Sequence, residues 1–519
     1  MSMLLALPLV PLAAAAWLVL SSRSRDLPAG WLVALAAAFP VVMAVVAAPD
    51  RVSLPGVLVL GTSALVLDSV ARAALLLFGG LWLSAGLLLT RSREPGPTAF
   101  ALLVALAGAT VLALAEGGPL VYLGMLWTGY GLYVVMASES ITDWRRAGRA
   151  LIVLLVLSDL LVFEVLLSAT ASPAADLKPA VLVMGLIAVI LRGGIPPAHG
   201  WLPPALMAAS TAGAMLLVVL PAAAFFGILK LLPAGAPQMG VVCALLGIAG
   251  AVWAAVAGLA QADARATLGY AVAATAALLL AALPAGAGPE GQLAWLTLAL
   301  LACCAALPLV ALQHAGWFRD IAIAAAVLVH GLAGGHLLVH AVQVLPIWAA
   351  ALLPGAAIAA TFLLTLTVRR TPAVARDDAS VEKTRLAYAP VILAGIGLGF
   401  AWAARPPVFA SSWILPIGVT LALVIFRLAP ARVQPAIPPG DLLVLLERTV
   451  GFVLRWLQVV FVRYLPRFVR RLEARVLSLW DGDAWSRRVH RLDIRLRTWP
   501  ATSLMMILFA LSAAFLLAK

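Results

Sequence analysis

Apolar runs of about 20 residues recur from one end of this chain to the other, and that is the length an α-helix needs to cross the roughly 30 Å hydrocarbon core of a bilayer. Lipid offers no hydrogen bonds to a backbone, so such runs must be helices that pair their own N–H and C=O groups. Candidate spans fall near 3–20, 29–48, 70–90, 98–115, 119–136, 149–168, 178–193, 205–229, 239–259, 265–284, 292–312, 320–342, 347–368, 387–404, 409–427 and 502–518. The expected fold is therefore all-α and integral to a membrane, with about 14–16 transmembrane helices, some broken or tilted. Composition leaves no room for a sizeable soluble domain. Charged residues make up 11% of the 519, against about 25% in soluble domains. The first run has no preceding basic region and no clear cleavage site, so it reads as a retained helix and not a signal peptide.

The formal charge of +13 could suggest nucleic acid, but its placement argues for lipid. Arg23 and Arg25 follow the first span, Arg91 and Arg93 the third, and Arg145, Arg146 and Arg149 the fifth. Arg369, Arg370, Arg376, Lys383 and Arg385 follow the thirteenth, and Arg427 and Arg432 the fifteenth. The alternate loops, around Glu116, Asp176, Lys178, Lys230 and Glu290, are poor in basic residues. The positive-inside rule then puts the odd loops in the cytoplasm and the N-terminus outside. Cys243, Cys303 and Cys304 lie in apolar runs without metal-ligand spacing and read as small buried residues.

The charged, aromatic-rich segment 441–498 stands apart from the apolar stretches on either side; the expected parts are 1–96, 97–231, 238–370, 386–428, 441–498 and 501–519. Within the first part, residues 49–68 alternate Val, Leu and Gly around Pro55 and Gly61, which suits a short hairpin on the outer surface. From Asp441 to Arg497 there are twelve Arg against six Asp and Glu, interleaved with Trp456, Phe461, Tyr464, Phe468, Trp480 and Trp485. That mixture suits an amphipathic helix lying in the membrane interface, or docking a partner subunit. Pro500 then opens a final span.

Ionisable side chains at membrane depth are costly and usually mark a pathway or a bound partner. Asp159 and Glu164 lie in the sixth span, five residues apart and so about 140° apart around a helix. Arg192 ends the seventh, Lys230 sits late in the eighth, and Asp263 and Arg265 precede the tenth. Snorkelling to the outer interface is the simpler reading of Lys230. His330, His336 and His340 fall in the twelfth, the last two one turn apart. Such a pair could relay protons, or could simply bond between helices; no metal site is expected from two histidines without further ligands.

The stretch from Arg192 to Leu206 holds four prolines and three glycines, enough to end one helix and delay the next. Broken helices at membrane depth commonly form ion sites. Pro196, Pro197, His199, Trp201 and Pro203 are its defining residues, and Pro197-x-His199-x-Trp201-Leu202-Pro203-x-Ala205 resembles the P-x-H-x-W-L-P-x-A signature of the antiporter-like subunits of respiratory complex I, Mrp-type antiporters and membrane-bound hydrogenases. Asp263-x-Arg265-x-x-x-Gly269-Tyr270 is similar to the family's D-x-K/R-x-x-x-A-Y start of a later helix. Asp68 and Pro439-Gly440-Asp441 resemble further landmarks. The likeness runs over roughly residues 55–518, with the broken-helix motif its most specific part. It implies two inverted repeats of five helices, at 97–231 and 238–370, a lateral C-terminal helix with a final span, the cytoplasmic membrane of a bacterium or archaeon, and partners that include other membrane subunits and a peripheral cytoplasmic one.

The family pairs a glutamate in its fifth helix with a lysine before the broken segment. Those places hold Thr128 and Arg192 here, the polar place in the eighth helix falls near Leu217, and the eleventh-helix His and Lys correspond to the apolar run 297–307. A guanidinium keeps its proton at any physiological pH. Three readings follow: translocation of H⁺ or Na⁺ coupled to partner chemistry through a rewired path, a non-conducting scaffold subunit, or the proton-coupled half of an inorganic-carbon uptake system. The sequence has no nucleotide-binding glycine loop, iron–sulfur cysteine set or haem motif, so no cofactor and no catalytic centre are expected in this chain.

Overall fold

The computed structural model describes residues 3–20, 29–54, 63–89, 96–138, 144–171, 178–231, 239–283, 305–310 and 345–370. The chain divides into two compact units, Met1–Val444 and Leu445–Lys519, and the described residues all belong to the first. The spans expected at 320–342, 387–404, 409–427 and 502–518 lie outside the described residues, as do the amphipathic segment 441–498, the histidines 330, 336 and 340, Cys303 and Cys304.

Each described apolar run is a helix, because only intrahelical bonds satisfy its backbone away from water. In chain order these are α1 (Met3–Leu20), α2 (Ala29–Val46), α3 (Ser69–Leu89), α4 (Gly96–Leu114), α5 (Gly118–Ser138), α6 (Trp144–Ala171), α7 (Pro179–Gly193), α8 (Leu202–Ala208), α9 (Thr211–Leu217), α10 (Val219–Leu231), α11 (Gly240–Leu259), α12 (Ala264–Ala282) and α13 (Ile347–Arg370). Among the described residues ten helical stretches are long and apolar enough to cross a membrane. The protein is a multi-pass membrane protein.

Two of those crossings differ from the expected spans. The seventh does not stop at residue 193 but runs through the break to Ala208, and the next runs from Thr211 to Leu231. The turn between crossings is at Ala209 and Ser210, where Ala209 is extended and the Ser210 side chain accepts from Gly213 N–H at 3.1 Å. A serine cap starts a helix, whereas the upstream prolines only interrupt one.

The extended stretch after α2 forms the expected hairpin. β1 (Arg51–Leu54) pairs antiparallel with β2 (Ser63–Val66), and β2 with β3 (Ala115–Glu116). Arg51 and Glu116 form an exposed ion pair at 3.0 Å across this small sheet. Asp68 accepts from Ala71 N–H at 2.7 Å and so starts α3.

Lipid-embedded helices approach closely where small residues face each other. A Cβ on Gly124 of α5 would stand 2.7 Å from Leu112 N of α4, and one on Gly131 would stand 2.7 Å from Ala105 Cβ. Gly247 of α11 meets α12 in the same way, with a Cβ 2.5 Å from Ala277 O.

Candidate functional site

The break in the seventh crossing is built locally. α7 ends at Gly194, which has φ of 60°, and Ile195 N–H bonds back to Ile190 O at 3.2 Å. A left-handed glycine is the ordinary device for closing a helix C-terminus. Pro196 and Pro197, joined by a cis peptide bond, offer no N–H to continue it. A turn of 3₁₀-helix (Ala198–Trp201) follows, with Pro203 early in α8.

His199 and Trp201 are both 0% exposed. The His199 ring lies 5.5 Å from the Tyr270 ring of α12, and Trp201 packs over Gly194, where an added Cβ would be 3.3 Å from Trp201 Cζ2. Gly269, one residue before Tyr270, lets α12 approach Pro203 so closely that a Cβ there would be 2.6 Å from its Cα. Residues 199–203 of the interruption are therefore buried among helices of the bundle, while Pro197 is exposed.

One turn before the break, Arg192 and Asp159 of α6 form an ion pair. Arg192 Nη1 donates to Asp159 Oδ1, and Nη2 donates to the main-chain carbonyl of Met125 in α5. Arg192 is 0% exposed and Asp159 4%. Tyr122 and Tyr130, also on α5, lie close enough to interact with both charges. Ser158, beside Asp159, donates to Ala188 O at 3.1 Å and fastens α6 to α7. The fifth helix thus supplies no acid at Thr128, whose hydroxyl bonds back to Gly124 O at 2.7 Å. The carboxylate facing the basic residue comes from α6 instead.

The remaining described site candidates separate from this pair. Glu164 is half-buried on another side of α6. The Lys230 ammonium donates to the carbonyls of Leu112 (3.0 Å), Ala113 (2.8 Å) and Ala115 (2.8 Å), and stands 4.5 Å above the Phe226 ring. The carbonyls at the end of α4 have no intrahelical partners and carry the negative end of its dipole, which a cation satisfies. A cavity of about 300 Å³ opens beside Lys230, lined among others by Arg51, Asp68 and Glu116.

Three arginines do the same work elsewhere. Arg72 holds Ala44 O and Ala47 O at the end of α2. Arg265 donates to Ala209 O at 2.8 Å, just past α8, and to Thr211 Oγ1 at 3.1 Å. Arg370 binds Gly258 O at 2.8 Å and Leu259 O at 2.7 Å at the end of α11. Asp263, exposed, accepts from Arg265 N–H (2.7 Å) and Ala266 N–H (3.0 Å) and caps α12. Sequence reading grouped Lys230, Asp263 and Arg265 with the pathway residues; their bonds are those of helix caps. It missed Met125, Gly129, Tyr122 and Tyr130, since a main-chain carbonyl and a glycine carry no ionisable signal.

Leu216, Leu217, Leu220 and Phe225 along α9 and α10 are buried, and Phe225 lies over Gly193, where a Cβ would be 3.7 Å from its ring.

Residues 149–312, which include the pair, the broken helix and α12, match the family described as NADH:quinone oxidoreductase/Mrp antiporter, transmembrane. Solved structures share the fold. A chain of the Mrp complex from Dietzia sp. DQ12-45-1b superposes with a TM-score of 0.70 at 16% identity, over 100% of this chain and 63% of that one. A chain of the membrane-bound sulfane sulfur reductase, an archaeal respiratory membrane complex, does so with a TM-score of 0.64 at 17% identity, over 94% and 98%. The chain thus spans just under two thirds of the length of the Mrp-complex chain. Sequence comparison with curated proteins finds no match.

Proposed function

We propose that this chain is a membrane subunit of a multisubunit assembly related to complex I and the Mrp antiporters, and that it contributes to H⁺ or Na⁺ translocation driven by its partners. One observation carries the reading: a carboxylate and a guanidinium are held as a pair inside the bundle, one turn from a broken helix. Desolvating two charges costs several kcal/mol each, and apolar residues of the same volume would commonly stabilise the fold as well or better. A membrane protein that keeps such a pair at a helix break has a use for charge there. The partners are other integral membrane subunits and a peripheral cytoplasmic subunit, in the cytoplasmic membrane of a bacterium or archaeon with the N-terminus outside.

A non-conducting scaffold is the second reading, favoured by the apolar packing of Phe225 of α10 over Gly193, the residue next to Arg192. Purifying the native complex, identifying its subunits and measuring ion uptake into proteoliposomes separates the two. Translocation requires that Arg192→Ala stop coupled uptake in assembled complex; unchanged uptake would leave only the scaffold.

A further inference from the structure

Gly129 of α5 faces Arg192. A methyl group on it would stand 3.1 Å from Arg192 Cζ, closer still to Nη2, and 3.3 Å from Leu155 Cδ2 of α6. Met125 lies one helical turn earlier, so its carbonyl emerges beside residue 129. That carbonyl receives Arg192 Nη2, while Nη1 reaches Asp159. Without a side chain at 129 the flat guanidinium lies against the main chain of α5, and its two arms span from α5 to α6.

We infer that Gly129 and the Met125 carbonyl form a slot on α5 that positions the Arg192 guanidinium against Asp159. The slot's shape selects a forked, planar cation: an ammonium is a single point charge on a shorter stem and cannot reach both partners. Gly129 is thus a positioning residue, acting through Arg192. The inference about geometry stands on the contacts alone; its consequence for ion movement rests on the function proposed above.

Two readouts on the full chain in its native complex keep the two apart. The first is thermal unfolding of the purified complex, with Gly129→Ala, Arg192→Lys and the double variant beside the parent. The slot requires Gly129→Ala to lower the midpoint and Arg192→Lys to raise it again within that background, because the shorter cation vacates the space the methyl needs. A merely packing role against Leu155 predicts no such rescue, since the clash with α6 remains; Leu155→Ala would then rescue instead. That pattern, or a Gly129→Ala midpoint equal to the parent's, would overturn the slot. The second readout is ion uptake: at least a tenfold loss is expected in Gly129→Ala with partial return in the double variant. Rescue of the melting midpoint with uptake unaffected in all variants would keep the slot and refute the translocation reading.

Discussion

Asp159 of α6 and Arg192 of α7 form an ion pair in which both partners are shut off from the surface. Breaking a buried pair by removing one partner costs about 3–5 kcal/mol, because the survivor is left as an uncompensated charge. Asp159→Ala should therefore destabilise the protein by that amount, read as a fall in the unfolding midpoint. Exchanging the two residues, Asp159→Arg with Arg192→Asp, should recover less than half of the loss, since Met125 O and the Gly129 slot are built for a guanidinium arriving from α7.

Lys230 and the end of α4 provide a contrasting case. Lys230→Met removes three hydrogen bonds and leaves the carbonyls of Leu112, Ala113 and Ala115 without their cation. Groups left unsatisfied in this way cost about 1–3 kcal/mol, so the unfolding midpoint should drop. Ion uptake per assembled complex should stay at the parent level, which distinguishes a cap from a pathway residue.

At the α4–α5 contact, Gly124 has no room to grow. Gly124→Val would push branched carbon into the Leu112 backbone, for which a Cβ alone is already at 2.7 Å. Overpacking of this sort costs about 1–3 kcal/mol, and α4 must shift to accept it. Lower yield of folded protein and a lower midpoint are expected, whereas Gly355, whose Cβ would meet nothing within 4 Å, should accept alanine without loss.

The contact of His199 with Tyr270 ties the break to α12. Truncating a buried aromatic to alanine costs about 3–5 kcal/mol. Tyr270→Ala should destabilise by that amount, read as a fall in the unfolding midpoint of the purified complex.

Much of this was legible in the residues. Helix positions follow from apolar runs, because lipid forbids any other backbone arrangement, and the hairpin after α2 follows from alternation around Pro55 and Gly61. The broken helix was readable too, since glycines followed by the Pro196–Pro197 pair together disfavour a continued helix. Pairing was not. Asp159 and Arg192 are 33 positions apart and on different helices, and no local pattern says that α6 supplies the acid which α5 lacks at Thr128. The roles of Lys230, Arg265 and Arg370 were equally hidden, because a cation in an apolar span looks the same whether it meets water, a carboxylate or the carbonyl end of a neighbouring helix. Gly129 reads as one more small residue in Gly129-Tyr130-Gly131 until a guanidinium is seen lying on it.

Ion movement through the Asp159 site is the central claim, and Asp159→Asn tests it most directly, because the amide keeps the shape and removes the charge. The native complex carrying this change should be reconstituted in proteoliposomes and its coupled H⁺ and Na⁺ uptake measured per assembled complex. The account predicts a loss of at least tenfold with subunit composition unchanged. Uptake at the parent rate would contradict it and make the buried pair a brace within a scaffold.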